Sequence, residues 1–173
     1  MGNEVTPTIA YQFDRILRGS VPFALTFLLV LISVVPTGIG AVVTPSFVGI
    51  SVFYWSIHRP YLMNAPLVFL IGVLFDFLTG TPPGLTSLIL LALHGIALTQ
   101  RRVFIGKAFV LTWFGYILVA FGIAMLSWLI ACLYSLALLP LMPVMTQYAL
   151  SVLVFPMFAW GFGKLQNNIL RHT

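Results

Sequence analysis

Long apolar runs separated by short polar turns dominate the pattern of this chain. A polar stretch comes first, residues 1–20, and six apolar runs follow, at 21–43, 45–57, 62–78, 85–99, 108–134 and 143–162. The runs are continuous, which is typical of membrane helices, whereas the strands of a membrane barrel alternate apolar and polar positions. The pattern therefore predicts an all-α polytopic membrane protein, a bundle of about six transmembrane helices.

The run lengths also predict the domain organisation. Residues 1–20 are interpreted as a cytoplasmic tail or an amphipathic surface helix, 21–163 as the transmembrane domain and 164–173 as a cytoplasmic tail. The runs at 45–57 and 85–99 are short, since about 13 residues of helix reach only roughly 20 Å of a hydrocarbon core of about 30 Å. We expect both to cross. The first would be helped by Tyr54 and Trp55 as an aromatic anchor at the lipid interface, although it could also be a re-entrant segment.

Composition excludes a soluble fold. Hydrophobic residues make up 61% of the chain and charged residues 6%, and the mean hydropathy is +1.10. Soluble domains carry about 25% charged residues. The net charge of +5 does not indicate nucleic-acid binding, because the basic residues flank apolar runs singly or in pairs.

The basic residues predict the orientation of the bundle. With the N-terminus inside and six crossings, all eight Lys and Arg fall on the cytoplasmic side. The three outer turns, near Thr44, Thr81 and Pro140, carry none. The positive-inside rule therefore favours an N-in, C-in multi-pass protein of a bacterial inner membrane.

Asp76 is the one carboxylate in or beside an apolar run, because Glu4 and Asp14 lie in the N-terminal stretch. An Asp near a bilayer centre costs about 2.5–3.5 kcal/mol, and less near the interface, so we expect something to compensate for it. It could accept hydrogen bonds from the following turn or cap a neighbouring helix, take part in transport or contact a partner. Gly72 lies one helical turn earlier, where it would let a neighbouring helix approach closely.

Other candidate chemistry is sparse. His94 is the other titratable group in mid-span, and we favour a histidine hydrogen-bonded between packed helices over a proton couple with Asp76. The basic turns could bind anionic lipid headgroups or a cytoplasmic partner, or carry topogenic charge alone. No activated nucleophile, phosphate-binding loop or metal-ligand spacing is visible, so we predict no catalytic residues, no metal, no cofactor and no enzymatic activity. A transporter remains the alternative.

Two sets of residues carry a resemblance to a known family. The first is the segment Gly72-Val-Leu-Phe-Asp76-Phe-Leu-Thr-Gly80-Thr-Pro-Pro-Gly84, with its Gly-x-x-x-Asp-x-x-x-Gly-x-x-x-Gly pattern. The second comprises the turns expected at the cytoplasmic side, with Tyr54, Trp55, His58, Arg59, Pro60, Arg101 and Arg102. With Pro156 and Trp160 before a basic tail, these residues make the chain resemble the rod shape-determining protein MreD family over nearly its whole length. Pro82, Pro83 and His94 are not assumed to follow the family pattern.

The resemblance implies a non-enzymatic scaffold of the cell-wall elongation machinery that maintains rod shape during peptidoglycan synthesis. The implied partner is MreC, and through it MreB, the glycosyltransferase RodA and its paired penicillin-binding transpeptidase. Membrane lipids are further expected contacts, no nucleic acid is expected, and a homodimer is left open. The resemblance also implies a fold similar to the substrate-binding subunits of energy-coupling-factor transporters.

Overall fold

The computed structural model of the protein describes residues 21–34, 44–104 and 109–169. All regular structure in these ranges is helical, which confirms the predicted class. The six helices are α1 Val21–Val34, α2 Phe47–His58, α3 Ala65–Thr79, α4 Leu85–Phe104, α5 Phe109–Ser135 and α6 Met142–Ile169. The expected amphipathic segment 1–20 and the end of the first predicted run, 35–43, lie outside the described residues.

The six helices differ in length, and the difference shapes the bundle. Two of them contain segments long and apolar enough to cross a membrane unaided, Val110–Ser135 and Met142–Lys164. In contrast, α2 has 12 residues and α5 has 27, which correspond to about 18 Å and about 40 Å of helix. The crossing of the membrane by all six helices stays a prediction.

Contacts between helices show that α2, α4 and α6 run in the same direction. Ser56 contacts His94 near the middle of α4, and Ile57 contacts Arg101 further along it. Likewise, Ser46 at the start of α2 contacts Ser151, and Tyr54 near its end contacts Phe162. The partner positions increase together in both comparisons, so the three helices are parallel.

Helix α5 runs antiparallel to α6. The pair Trp113–Val152 and the pair Ile117–Tyr148 connect the two helices with opposite order along each chain segment. The four basic residues of the described part lie at one end of the bundle: Arg59, Arg101, Arg102 and Lys164.

Helix α2 lies at the centre of the bundle. Its ten consecutive residues Val48–Ile57 are all buried, as expected for a helix that is apolar on every side and surrounded by others. Phe53 packs edge-on against Tyr116 and Phe155, whose rings stack 4.2 Å apart. The core of the protein therefore surrounds its shortest described helix.

This position corrects one expectation. Tyr54 and Trp55 had the pattern of an aromatic anchor at the lipid interface, yet they are 5% and 0% exposed and pack against Phe162. The expected anchor role is wrong because the tertiary packing of α2 encloses both rings.

Helix α6 continues through Pro156. A proline has no N–H to donate to the carbonyl four residues earlier, which here belongs to Val152. The indole N–H of Trp113 donates to that carbonyl at 3.2 Å. A side chain of α5 thus replaces the backbone hydrogen bond that α6 lacks, as neighbouring helices do in membranes.

Candidate functional site: the Asp76 turn

The Asp76 side chain is fully buried at the end of α3 and accepts three hydrogen bonds. Thr81 Oγ1 donates to Oδ1 at 2.9 Å, and the Thr86 backbone N–H donates to the same oxygen at 3.1 Å. The Gly84 N–H donates to Oδ2 at 2.8 Å. Both carboxylate oxygens are therefore satisfied by residues 81–86.

One of the donors, Thr86, lies in the first turn of α4, which begins at Leu85, and Gly84 immediately precedes that helix. The first N–H groups of a helix have no partner within the helix and carry partial positive charge. Asp76 supplies the acceptor that an N-cap side chain usually provides. The carboxylate of one helix thus caps the next.

The backbone of the turn is shaped by two glycines. Gly80 has φ +68° and ends α3, and its N–H donates to the carbonyl of Asp76. Gly84 has φ +98° immediately before α4. Residues that carry a side chain rarely adopt these backbone φ angles, so both glycines are needed for the chain to reverse within a few residues. Asp76 therefore anchors the turn through its backbone and its side chain.

Gly72 sets the distance between α3 and α4. A Cβ at this position would lie 2.4 Å from the Ser87 Cα and 2.7 Å from the Ser87 N. Ser87 Oγ in turn donates to the Phe69 carbonyl at 3.2 Å. The two helices pack backbone to backbone here, one turn below the carboxylate, as small residues permit in membrane bundles.

The family assignment follows from the whole sequence. The sequence model of the rod shape-determining protein MreD family matches residues 14–167 of the 173-residue chain. The chain belongs to the MreD family. Its role is accordingly in rod shape determination, and it is a membrane protein, which confirms the resemblance. Neither the curated proteins nor the solved structures provide a match, so the similarity to energy-coupling-factor subunits stays a prediction.

His94 of this MreD protein is buried and lies away from Asp76. Its Nδ1 is 2.7 Å from Ser56 Oγ, and that hydroxyl also donates to the Val52 carbonyl. The eight residues from Thr86, which binds Asp76, to His94 correspond to about 12 Å along α4. A direct Asp76–His94 proton couple is therefore wrong, and His94 instead connects α4 to the central helix.

The residues predicted to form basic and aromatic turns lie at the other end of the bundle, but most of them belong to helices. Tyr54, Trp55 and His58 are part of α2, and Arg101 and Arg102 are in the last turn of α4. Arg101 Nε donates to the Ile57 carbonyl at 3.0 Å, which satisfies one of the unpaired carbonyls at the end of α2. His58 stacks on Tyr54 at 4.1 Å, and Arg59 donates to the Tyr61 hydroxyl. The ends of α2 and α4, where Ile57 and Arg101 are 44 residues apart in the sequence, therefore form one surface.

A cavity of about 250 Å³ lies beside the Asp76 turn. Its wall includes Phe75, which precedes Asp76, and Thr86, whose N–H donates to the carboxylate. The start of α2, the middle of α5 and the first half of α6 complete the wall. Hydroxyl and amide groups line part of it, including Ser127 and Gln147, and the rest is apolar. Asp76 itself faces the turn and does not line the cavity.

Buried serine and threonine contacts form a feature that the sequence reasoning missed. Thr26 Oγ1 and Ser51 Oγ are 2.7 Å apart between α1 and α2, and Ser151 Oγ accepts from the Ser46 N–H at 2.8 Å. The signal is a lone small hydroxyl residue within an apolar run. It indicates a contact between helices in a membrane protein but does not identify the residue that the hydroxyl contacts.

Proposed function

We propose that this MreD protein is a non-enzymatic scaffold of the cell-wall elongation complex. In this proposal it binds MreC in the inner membrane, and through MreC it connects MreB to RodA and its paired transpeptidase. The observation that carries the proposal is the family match over residues 14–167. Rod shape determination is the role of the family. A scaffold can perform that role by binding other proteins and needs no catalytic residues.

The Asp76 turn supports a docking role for this end of the bundle. The carboxylate and the two glycines hold a short, preorganised turn, and a preorganised surface loses little entropy on binding. Several residues of the turn are exposed, and Phe77, immediately after Asp76, is 71% exposed. We propose that the turn and the adjacent face of α3 contact a single-span partner, while Asp76 contributes by fixing the shape of the turn.

The cellular test is depletion of the protein in the rod-shaped bacterium that encodes it. Rod shape should be lost, and cells should round over a few generations while continuing to add wall material. Re-expression of the wild-type chain should restore rods. Normal rods after complete depletion would contradict the role of this chain in shape.

The binding test is co-purification with MreC from mild detergent. Phe77→Ala removes a side chain that is 71% exposed beside the turn, and Leu118→Ala removes one that is 70% exposed on α5. We expect MreC to be retained with the wild type and with Leu118→Ala, and to be reduced severalfold with Phe77→Ala. Equal recovery with both variants would remove the α3 face from the interface, and no MreC with the wild type would contradict the scaffold proposal.

The cavity favours small-molecule transport or binding as the second candidate function. A cavity of about 250 Å³ with several hydroxyl groups could hold a small ligand. A bound ligand at 100 times its Kd would stabilise the protein by about 2.7 kcal/mol. A thermal-shift screen of small metabolites, with Ser127→Leu as the cavity-filling control, tests this candidate. A ligand that stabilises the wild type but not the control variant would support small-molecule binding. A screen without such a ligand would contradict it and leave the scaffold as the one proposed function.

A further inference from the structure

We propose that the outer tip of α5 is a docking site for an apolar protein segment that lies just outside the membrane. The outer tip comprises residues 129–139, which are the last turns of α5 and the loop after it. The occupant that fits is the extracytoplasmic part of a single-span partner, directly after its transmembrane helix. This contact rests on the proposed scaffold function and adds to it a second surface, separate from the face of α3.

Helix α5 extends well past the start of α6. Trp113 of α5 contacts Val152 of α6, and Ile117, four residues further along α5, contacts Tyr148. This antiparallel register places Met142, the first residue of α6, opposite about position 123 of α5. The last residues of α5, about 12 of them, therefore rise about 18 Å above the start of α6.

The loop after α5 agrees with this offset. Both backbone groups of Leu139 contact α5: the carbonyl accepts from the Trp128 indole N–H at 3.1 Å, and the N–H donates to Cys132 Sγ at 3.4 Å. The chain therefore runs back down along α5 to reach α6. Leu136 lies at the start of this reversal with φ +50°, which residues that carry a side chain rarely adopt. These contacts give the outer tip a fixed shape.

The offset places the outer tip outside the lipid. The apolar segment Met142–Lys164 of α6 has 23 residues. At about 35 Å it spans a hydrocarbon core of about 30 Å when Lys164 lies at the inner headgroups. The headgroup layer adds about 5–8 Å on each side. A rise of about 18 Å, or about 14 Å at a helix tilt of 40°, therefore carries the tip past the headgroups.

The surface of the outer tip is apolar and uncharged. Leu133, Tyr134, Leu136 and Leu138 are 66%, 69%, 92% and 88% exposed. Residues 108–163 contain no charged side chain. Large apolar patches in contact with water mark protein–protein interaction sites, and a fixed shape lowers the entropy cost of binding. An apolar segment is the occupant that buries no unpaired charge against this surface.

The outer tip lies at the same end of the bundle as the Asp76 turn. Phe75 and Thr86, beside that turn, line the same cavity as Ala124 and Ser127, which lie on α5 just below the tip. The proposed contact surface on α3 and the outer tip therefore border one cavity. A single-span partner placed beside this cavity contacts both surfaces.

The first measurement tests whether the outer tip is in water. Leu138→Cys and the control Leu118→Cys are made in a Cys132→Ser background, where the serine hydroxyl still accepts from the Leu139 N–H. Leu118 is 70% exposed on the same helix, within the span. The full chain in nanodiscs is treated with a charged maleimide, which does not enter lipid. We expect Leu138→Cys to react at least about tenfold faster than the control, because the thiolate forms in water. Equally slow reactions would place the tip in lipid and overturn the proposal.

The second measurement adds MreC, the partner of the proposed scaffold. In nanodiscs that contain both proteins, we expect MreC to slow the labelling of Leu138→Cys severalfold. The double variant Leu136→Ala with Leu138→Ala should recover severalfold less MreC from mild detergent, because it removes two exposed apolar side chains. The matched control is Leu118→Ala with Leu153→Ala, whose side chains are 70% and 73% exposed within the spans. It should recover as much MreC as the wild type, and both double variants should keep the wild-type melting temperature.

The outcomes separate the outer tip from the scaffold. If the wild type recovers MreC, but MreC neither slows the labelling nor depends on Leu136 and Leu138, the tip site is overturned and the scaffold proposal stands. If the wild type recovers no MreC, the scaffold proposal is contradicted, and the tip site with it. Slower labelling of Leu138→Cys in nanodiscs that hold two copies of the chain without MreC would identify a second copy as the occupant and would also overturn the proposal.

Discussion

Replacing Asp76 by Asn tests whether the carboxylate holds the turn together. The substitution keeps the size of the side chain and replaces one carboxylate oxygen by an NH₂ group, which donates and does not accept. If the amide oxygen occupies the Oδ1 position, it can still accept from Thr81 and Thr86. The NH₂ group then faces the Gly84 N–H, so that two donors meet where 2.8 Å separates a donor and an acceptor in the wild type.

The magnitude follows from that single mismatched contact. A hydrogen bond to a charged group contributes about 1.5–3 kcal/mol, and the buried N–H left without an acceptor costs about as much as the lost bond. The opposite amide orientation loses two acceptor contacts, so it does not rescue the variant. We expect Asp76→Asn to lower the free energy of unfolding by about 2–3 kcal/mol. For a chain of this length that corresponds to a fall of about 4–12 °C in melting temperature.

The assay is thermal unfolding of the purified protein in one detergent, followed by intrinsic tryptophan fluorescence. Thr81→Val is the matched comparison, because it removes one hydrogen-bond donor to Asp76 Oδ1. Thr81 is exposed, so a water molecule can donate in place of the lost hydroxyl. We expect it to cost about 1 kcal/mol or less. A melting temperature for Asp76→Asn within 1 °C of the wild type would refute the reasoning, as would a smaller effect than that of Thr81→Val.

Two further predictions concern helix packing. Gly72→Ala should lower the free energy of unfolding by about 1–3 kcal/mol or more, because its Cβ meets backbone atoms of Ser87. The control Gly95→Ala, whose Cβ has no atom within 4 Å, should leave the free energy of unfolding unchanged or raise it by up to about 1 kcal/mol. Equal melting temperatures of the two variants would contradict the close approach of α3 and α4. Trp113→Phe should cost about 0.6–1.5 kcal/mol in the wild type but much less in a Pro156→Ala background, where the helix recovers its own hydrogen bond. A double-mutant cycle measures this difference, and simple additivity would show that the indole does not replace the missing bond.

The helices and the importance of Asp76 follow from local sequence. The predicted runs differ from the described helices by only a few residues at most ends, because each run is bounded by glycine, proline or charge. The spacing of Gly72 and Asp76 predicted that both would lie on one helix face. The acceptor role of Asp76 was also among the expected alternatives, since the donors lie within ten residues of it.

The arrangement of the helices did not follow from the sequence. Nothing local to Tyr54 and Trp55 distinguishes an anchor at the lipid interface from a buried pair, because both patterns show aromatic residues at the end of an apolar run. The contact between Ser46 and Ser151 spans 105 residues. In a membrane, the lipid and the protein interior are both apolar. Hydropathy therefore does not indicate which face of a helix contacts lipid and which packs against another helix.

The short central helix connects these observations. At about 18 Å, α2 cannot reach both surfaces of a hydrocarbon core of about 30 Å. If its basic end lies among the headgroups, its first residues end about 12 Å below the opposite surface. The Ser46 N–H lies at this recessed end, and Ser151 of α6 supplies its acceptor.

The cavity is the geometric consequence of the same short helix. The walls continue beyond the start of α2, since α5 and α6 have 27 and 28 residues, about 40 Å each. The cavity lies beside the start of α2, where Ser46, Ser151, the middle of α5 and the first half of α6 line it. Of the polar groups in that wall, Ser151 satisfies the recessed end of α2, whereas Ser127 and Tyr148 donate to carbonyls of α5. A ligand or partner that enters it must replace those hydrogen bonds or leave them intact, and this requirement restricts the chemistry of anything that binds there.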